Sequence, residues 1–276
     1  MPRTRRMITT LAELFPDEDY RFTLRFGRGE PAAFFASTDQ NIELLAQRKH
    51  WLRTETDTCA ALLPEGAPLL AEASELAGKW NGFTPPASAS PRESCLALGE
   101  FWEPDFLLLA RGTDGEILLC GGCLCFPSSW RLTDKIGKPI EFIHEPVPEL
   151  NGSLGAGIHK FLTGLKPGIA SLRHNWGLSR SPELNQHPDR KLPRLGARVR
   201  LDEVWLRVER QALVALPKSD GILFGIRIAN RPLAAVKADA AASVRLQRAL
   251  ETMPEAMAVY KGIAPARGRL LELLRD

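Results

Sequence analysis

The stretch from Val199 to Ile228 constrains the fold more than any other part of the chain. Apolar and polar side chains alternate from Val199 to Glu209, which puts Val204, Leu206 and Val208 on one side of a strand and Trp205, Arg207 and Glu209 on the other. Ile222 to Ile228 is a second strand-length apolar run, joined to the first through the turn formers Leu216-Pro217-Lys218-Ser219-Asp220-Gly221. Strands connected by so short a link pair antiparallel. Arg207 and Arg227 are therefore expected on neighbouring strands.

The rest of the chain fits a mixed architecture. Phe106-Leu107-Leu108-Leu109 and Glu116-Ile117-Leu118-Leu119-Cys120 flank a turn containing Asp114-Gly115 and predict a hairpin. Arg21-Phe22-Thr23-Leu24-Arg25-Phe26 alternates as a strand ending near Gly27, and Ser37-Thr38-Asp39-Gln40 opens a helix with a capping box from Ser37 to Gln40. Residues 59–76 carry short helices, and Asn81 to Arg92, with Pro85, Pro86 and Pro91, is the clearest loop. Helical spacing returns at Leu154–Leu165, Ala238–Leu250 and Leu270–Leu274. The fold class is α+β, an antiparallel core sheet with surrounding helices.

Charge narrows the partners. Lys and Arg total 36 against 33 Asp and Glu, and a net charge of +3 over 276 residues is too small to make nucleic acid or an anionic membrane the main partner. No run approaches the ~18–20 apolar residues that span a bilayer. The basic start is followed by Glu13, Asp17 and Glu18 instead of an apolar signal core, and an odd number of cysteines, 5, argues against a disulfide framework. A reducing, cytoplasmic location is expected.

Several segments carry chemistry. Cys120-Gly121-Gly122-Cys123-Leu124-Cys125 has a pair at the spacing used by zinc and iron-sulfur sites, but a fourth ligand is missing and a strand with buried thiols fits the same residues. In the next segment, Phe126 to Ile140, Trp130 offers a flat apolar surface and Lys135 or Lys138 a cation, the makings either of a pocket wall or of a sealed turn. In Ile143-His144-Glu145-Pro146-Val147-Pro148, two prolines restrict the backbone beside a single imidazole. His144 is thus a positioned histidine, open to metal ligation, to base chemistry or to a hydrogen bond within a loop. His159 is a second candidate ligand or a solvated helix residue. Arg173-His174-Asn175-Trp176 and Trp205-Leu206-Arg207-Val208-Glu209-Arg210 place guanidinium groups beside indoles, suited to carboxylates or phosphates, with Glu209 as a competing internal partner. Gly152, Gly155 and Gly157 lack the strand-turn-helix setting of a dinucleotide fingerprint, and neither a phosphate loop nor a nucleophile elbow is present.

Taken in order, these segments resemble the haem-dependent oxidative N-demethylase-like family. The resemblance runs through Phe126-Pro127-Ser128-Ser129-Trp130, Lys135-Ile136-Gly137, Ile143-His144-Glu145-Pro146-Val147-Pro148, Arg173-His174-Asn175-Trp176, Arg207-Val208-Glu209-Arg210-Gln211-Ala212-Leu213, Leu216-Pro217, Phe224-Gly225-Ile226-Arg227 and Tyr260-Lys261-Gly262. It implies a domain over residues 20–262, flanked by an N-terminal extension (1–19) and a C-terminal helix or tail (263–276). It further implies a PAS-like sheet that holds one haem b and a monooxygenase reaction. In that reaction molecular oxygen is activated at the iron, a small methylated amine loses a methyl group as formaldehyde, and a separate reductase protein supplies the electrons.

On the same resemblance His144 is the axial ligand, with Cys123 and Cys125 as rivals. Arg207, Arg210 and Arg227 are the candidates for the propionates, Trp130 and Trp176 for the pocket wall, and Asp105 is the catalytic-site carboxylate that pairs with the protonated amine, with a strand-edge or capping role as its alternative. The chain departs from the family at Pro104-Asp105, where one member of an acidic pair is missing, and at Ala212, where the family often has Thr. A haem-binding sensor and a haem-free ligand- or protein-binding module are the alternatives, since fold alone does not specify catalysis.

Overall fold

The computed structural model describes residues 10–21, 25–38, 41–112 and 115–275. Seven strands, β1 (Gly27–Gly29), β2 (Ala60–Leu62), β3 (Asp105–Arg111), β4 (Ile117–Cys123), β5 (Ala170–Ser179), β6 (Trp205–Leu216) and β7 (Gly221–Pro232), form one sheet in the order β1-β5-β6-β7-β3-β4-β2. Every neighbouring pair is antiparallel.

The two strands expected between Val199 and Ile228 are the spine of this sheet, paired from Trp205 with Pro232 to Leu216 with Gly221. Their connection is tied down by Glu72, whose buried carboxylate accepts hydrogen bonds from the backbone of Lys218 (3.1 Å) and Ser219 (2.8 Å). The strand begins at Trp205 and not at Val199. A 3₁₀ turn at Leu201–Glu203 intervenes, with the Glu203 carboxylate accepting from the Arg200 backbone at 3.0 Å. Val199 and Val204 are buried on either side of this turn, so their apolar spacing serves the core without an extended chain. The expected helix at Ala238–Leu250 is found as Ala240–Thr252, capped by Asp239, which accepts from Ala242 N at 3.0 Å, and a separate short helix, Leu233–Ala238, precedes it. Of the other expectations, residues 22–24 of the strand before Gly27, the Asp39-Gln40 part of the capping box and Asp114 of the hairpin turn lie outside the described residues. The helix begins at Asn41, and β3 and β4 pair as the hairpin.

The Cys120–Cys123 motif is the end of a strand. Gly122 has φ +138°, and a Cβ there would lie 2.1 Å from the Phe106 carbonyl oxygen, so the glycine is required by the close approach of β3. Gly122→Ala is expected to destabilise the fold by about 1–3 kcal/mol. A urea midpoint indistinguishable from wild type would refute that close approach. All five cysteines are free and buried, and among the described residues no three His, Cys, Asp or Glu side chains converge as a metal site.

Helices are distributed unequally over the sheet. The helix Ala67–Asn81 packs against β3, β6 and β7, and Phe34 and Phe35 sit against Gly225 of β7. A second apolar cluster joins Leu206 and Val208 to the C-terminal helices through Leu246, Leu250, Leu270 and Leu274, and takes in Phe15 from the N-terminal segment. Described residues of both terminal segments, Phe15 and Leu270 among them, therefore pack on the core. Among the described residues no helix is long and apolar enough to cross a membrane.

Candidate functional site

The other sheet face is hollow. Period-two alternation turns Arg207, Glu209, Gln211 and Leu213 of β6 to one side, and the register sets them beside Arg173, Asn175 and Gly177 of β5 and beside Phe224, Ile226 and Ile228 of β7. These residues floor a cavity of about 850 Å³. That volume lies in the upper part of the usual range for small-molecule and cofactor sites, roughly 300–1,000 Å³. Facing the floor are the short helix Ile140–His144, the helix Leu150–Thr163 through Ile158, Phe161 and Leu162, and the segments 126–131, 186–195 and 257–262.

His144 ends its helix and lines this cavity. Among the described residues its ring makes no hydrogen bond. Burial, together with the charges of Arg173 and Lys135 and against that of Glu141, lowers its pKa to about 4. The imidazole is therefore neutral at pH 7, the form that ligates metals. Trp130 and Trp176 line the same space. The Trp176 indole is held edge-on by Phe15 at 5.2 Å and by Tyr20 at 6.3 Å.

Arg207 also reaches the cavity wall, but its donors are spent on protein. The side chain donates to Ser128 Oγ (2.7 Å), to the Phe126 carbonyl (2.8 Å) and, at longer range, to those of Pro127 (3.3 Å) and Glu183 (3.4 Å). It is 4% exposed, and burial lowers its pKa to about 10 against the charges of Glu209 and Asp105. Arg207 thus clamps the segment that carries Trp130. The same segment is pinned a second time, with Gln186 N donating to the Pro127 carbonyl and Ser129 N to the Gln186 carbonyl, both at 3.1 Å.

Three residues expected at the site stand elsewhere. Arg227 is indeed on the strand next to Arg207, but its register partner is Arg210, on the opposite face of the sheet, since Arg210 is three residues from Arg207. Arg227 donates to the Phe34 carbonyl at 2.7 Å and also binds Glu103 and the Ala36 carbonyl. Neither Arg210 nor Arg227 lines the cavity. Asp105 is fully buried outside it, 2.6 Å from Arg48, and accepts from the backbone N–H groups of Cys125 (2.7 Å) and Phe126 (3.0 Å). Cys123 and Cys125 are likewise absent from the lining. Their thiols are held well above the usual thiol range, Cys123 by its contact with Cys95 and by burial, Cys125 by burial and by Cys59.

The floor carries polar groups to which the sequence reading gave no role in the site. Glu209 accepts from Ser128 Oγ (2.5 Å), Gln211 Nε2 (2.9 Å) and Asn175 Nδ2 (3.3 Å). Lys261 donates to the Trp176 carbonyl (2.6 Å) and to Asn175 Oδ1 (3.4 Å), and its ammonium lies 5.2 Å from the Trp176 ring centre. Burial lowers the pKa of Lys261 to about 8, with Glu209 opposing and Arg173 adding to the effect. The place of Glu209 follows from its position two residues beyond Arg207 on the same strand face. Lys261 enters from outside the sheet, and strand periodicity carries no signal for it.

The cavity lining thus combines a neutral imidazole whose ring makes no hydrogen bond among the described residues, two indoles and several Lys and Arg side chains. A sequence model of one family, described as haem-dependent oxidative N-demethylase, alpha subunit-like, matches residues 73–271, which include β3 to β7, His144 and the whole cavity floor.

Proposed function

The chain belongs to the haem-dependent oxidative N-demethylase, alpha subunit-like family, and from that premise we propose that it binds one haem b in the sheet-face cavity and serves as the catalytic subunit of an oxidative N-demethylase for a small methylated amine. The observation that carries this reading is the ring of His144 on the cavity wall, neutral and without a hydrogen bond among the described residues. We read the five strands β3 to β7, which stand in the order second, first, fifth, fourth, third, as the PAS-like sheet.

When bound, haem supplies the oxygen chemistry that oxidises an N-methyl group, with electrons from a separate reductase and loss of formaldehyde. The protein's own residues then have distinct tasks. His144 holds the iron. Trp130 and Trp176 would bound the space beside the cofactor, and cations of the lining, Arg173 on the floor among them, would pair with its propionates. Arg207 acts indirectly, by fixing the Phe126–Ser128 backbone. Glu209 takes the role expected of Asp105: its carboxylate, held by Ser128, Asn175 and Gln211, is placed to pair with a protonated amine. Asp105 becomes a positioning residue for Cys125 and Phe126.

The test is the absorption spectrum of purified protein replete with haem, recorded oxidised, reduced, and reduced with carbon monoxide. A stoichiometric Soret band with an imidazole-type carbon monoxide spectrum is expected. A thiolate-type spectrum would remove His144 from its role, and no band at all would remove the oxygenase reading.

A further inference from the structure

The cavity is far more basic than the chain. Eight Lys and Arg side chains line it against the carboxylates of Asp134 and Glu209, while the whole chain carries only +3. Asp134 is exposed and lies 3.7 Å from Arg131, so Glu209 is the carboxylate of the cavity floor. Two of these cations are already answered by carboxylates beside the cavity, Arg131 by Asp189 at 2.5 Å and Arg180 by Glu203 at 2.6 Å.

The floor offers a more specific arrangement. Asn175 stands between two opposite charges, donating through Nδ2 to Glu209 and accepting through Oδ1 from Lys261. The other acceptor of Lys261 is the Trp176 carbonyl, and among the described residues no carboxylate hydrogen-bonds this ammonium. A buried cation served only by neutral oxygens gains from an anionic partner. Carboxylate and ammonium are thus separated by one amide and its two hydrogen bonds, and the ammonium and carboxylate of an α-amino acid can make the same pair of contacts, donating to Glu209 and accepting from Lys261.

We propose that the substrate of this site is a zwitterionic methylated amine, an N-methyl amino acid whose ammonium pairs with Glu209 and whose carboxylate pairs with Lys261. The inference rests on the N-demethylase reading and narrows it. The substrate carboxylate pairs with Lys261, while the N-methyl group is carried on the nitrogen that Glu209 orients. Release of the methyl group leaves an amino acid with both anchors intact.

Calorimetric titration of the haem-replete chain with N-methylglycine, dimethylamine and acetate tests this. N-methylglycine is expected to bind at least about tenfold more tightly than dimethylamine, the worth of one added charge-assisted hydrogen bond. Lys261→Met should bring that ratio close to one, Lys261→Arg should preserve most of it, and Glu209→Gln should weaken both amines. Equal affinities in the wild type would overturn the proposal. So would an unchanged ratio in Lys261→Met with loss of haem retention, the result if Lys261 serves a propionate. Formaldehyde release from dimethylamine without binding of N-methylglycine would sink this inference and leave the N-demethylase reading standing. A chain that takes up no haem would remove the N-demethylase reading and with it the substrate role, while the same titration on the haem-free protein still judges whether Glu209 and Lys261 anchor an amino acid.

Discussion

Replacing His144 with alanine is expected to abolish the imidazole-iron spectrum and leave the fold nearly untouched. The ring lines the cavity and makes no hydrogen bond among the described residues, so its removal breaks no structural contact of that kind. Its loss should therefore shift the urea midpoint by no more than an ordinary half-buried substitution, about 1 kcal/mol. A bound haem, by contrast, would lose the ligand proposed for its iron. The low pKa of the ring, about 4, means that no proton has to leave before the nitrogen can coordinate at neutral pH. In the same experiment Cys123→Ala and Cys125→Ala should keep the wild-type spectrum, since neither thiol reaches the cavity and both are held protonated. Full haem loading with an unchanged spectrum in His144→Ala would end the assignment, and a change confined to Cys125→Ala would move the ligand there.

What the sequence made legible was local periodicity and its immediate consequences. The alternation through Arg207 and Glu209, and the turn after Leu216, suffice to predict β6, β7 and their antiparallel pairing. They also contain the answer for Arg210, because three residues along a strand reverse the face. For Arg227 the strand was predictable but the face was not, since it depends on the register fixed by the Pro217–Asp220 connection. Val199 shows the converse failure: an apolar position in step with the strand is buried beside a turn, and periodicity does not distinguish the two. Long-range pairings leave no local trace at all. Nothing near Asp105 announces Arg48, 57 residues away, nor anything near Lys261 its contact with Asn175 at a separation of 86. An isolated Asp between an aromatic segment and an apolar strand fits a catalytic carboxylate and a buried ion pair equally well, and only the fold chooses.

That choice gives Asp105 its own measurable consequence. Asp105 and Arg48 are both 0% exposed and 2.6 Å apart, and Arg48 also donates to the Gly99 carbonyl at 2.8 Å and lies over the Phe126 ring. Burial pushes the Asp105 carboxyl up, while Arg48 and the N–H groups of Cys125 and Phe126 pull against it. Asp105→Ala strands the guanidinium in the core and frees two buried N–H groups, so a loss of about 3–5 kcal/mol is expected. The double variant Arg48→Met with Asp105→Leu removes both charges and should recover the part of that loss that comes from the stranded guanidinium, because a buried ion pair and an apolar pair of similar volume are often close in free energy, while the two N–H groups stay unpaired. Urea unfolding of the three proteins decides the matter: a change below about 1 kcal/mol in Asp105→Ala would refute the ion pair as a fold determinant. Stability and function then separate. The double variant still lacks the acceptor that holds the backbone of Cys125 and Phe126, two residues before Ser128, which Arg207 grips from the other side. A restored midpoint with weakened haem retention would identify Asp105 as a residue that shapes the cavity wall, whereas restored retention would leave the Arg207 clamp alone as sufficient to set it.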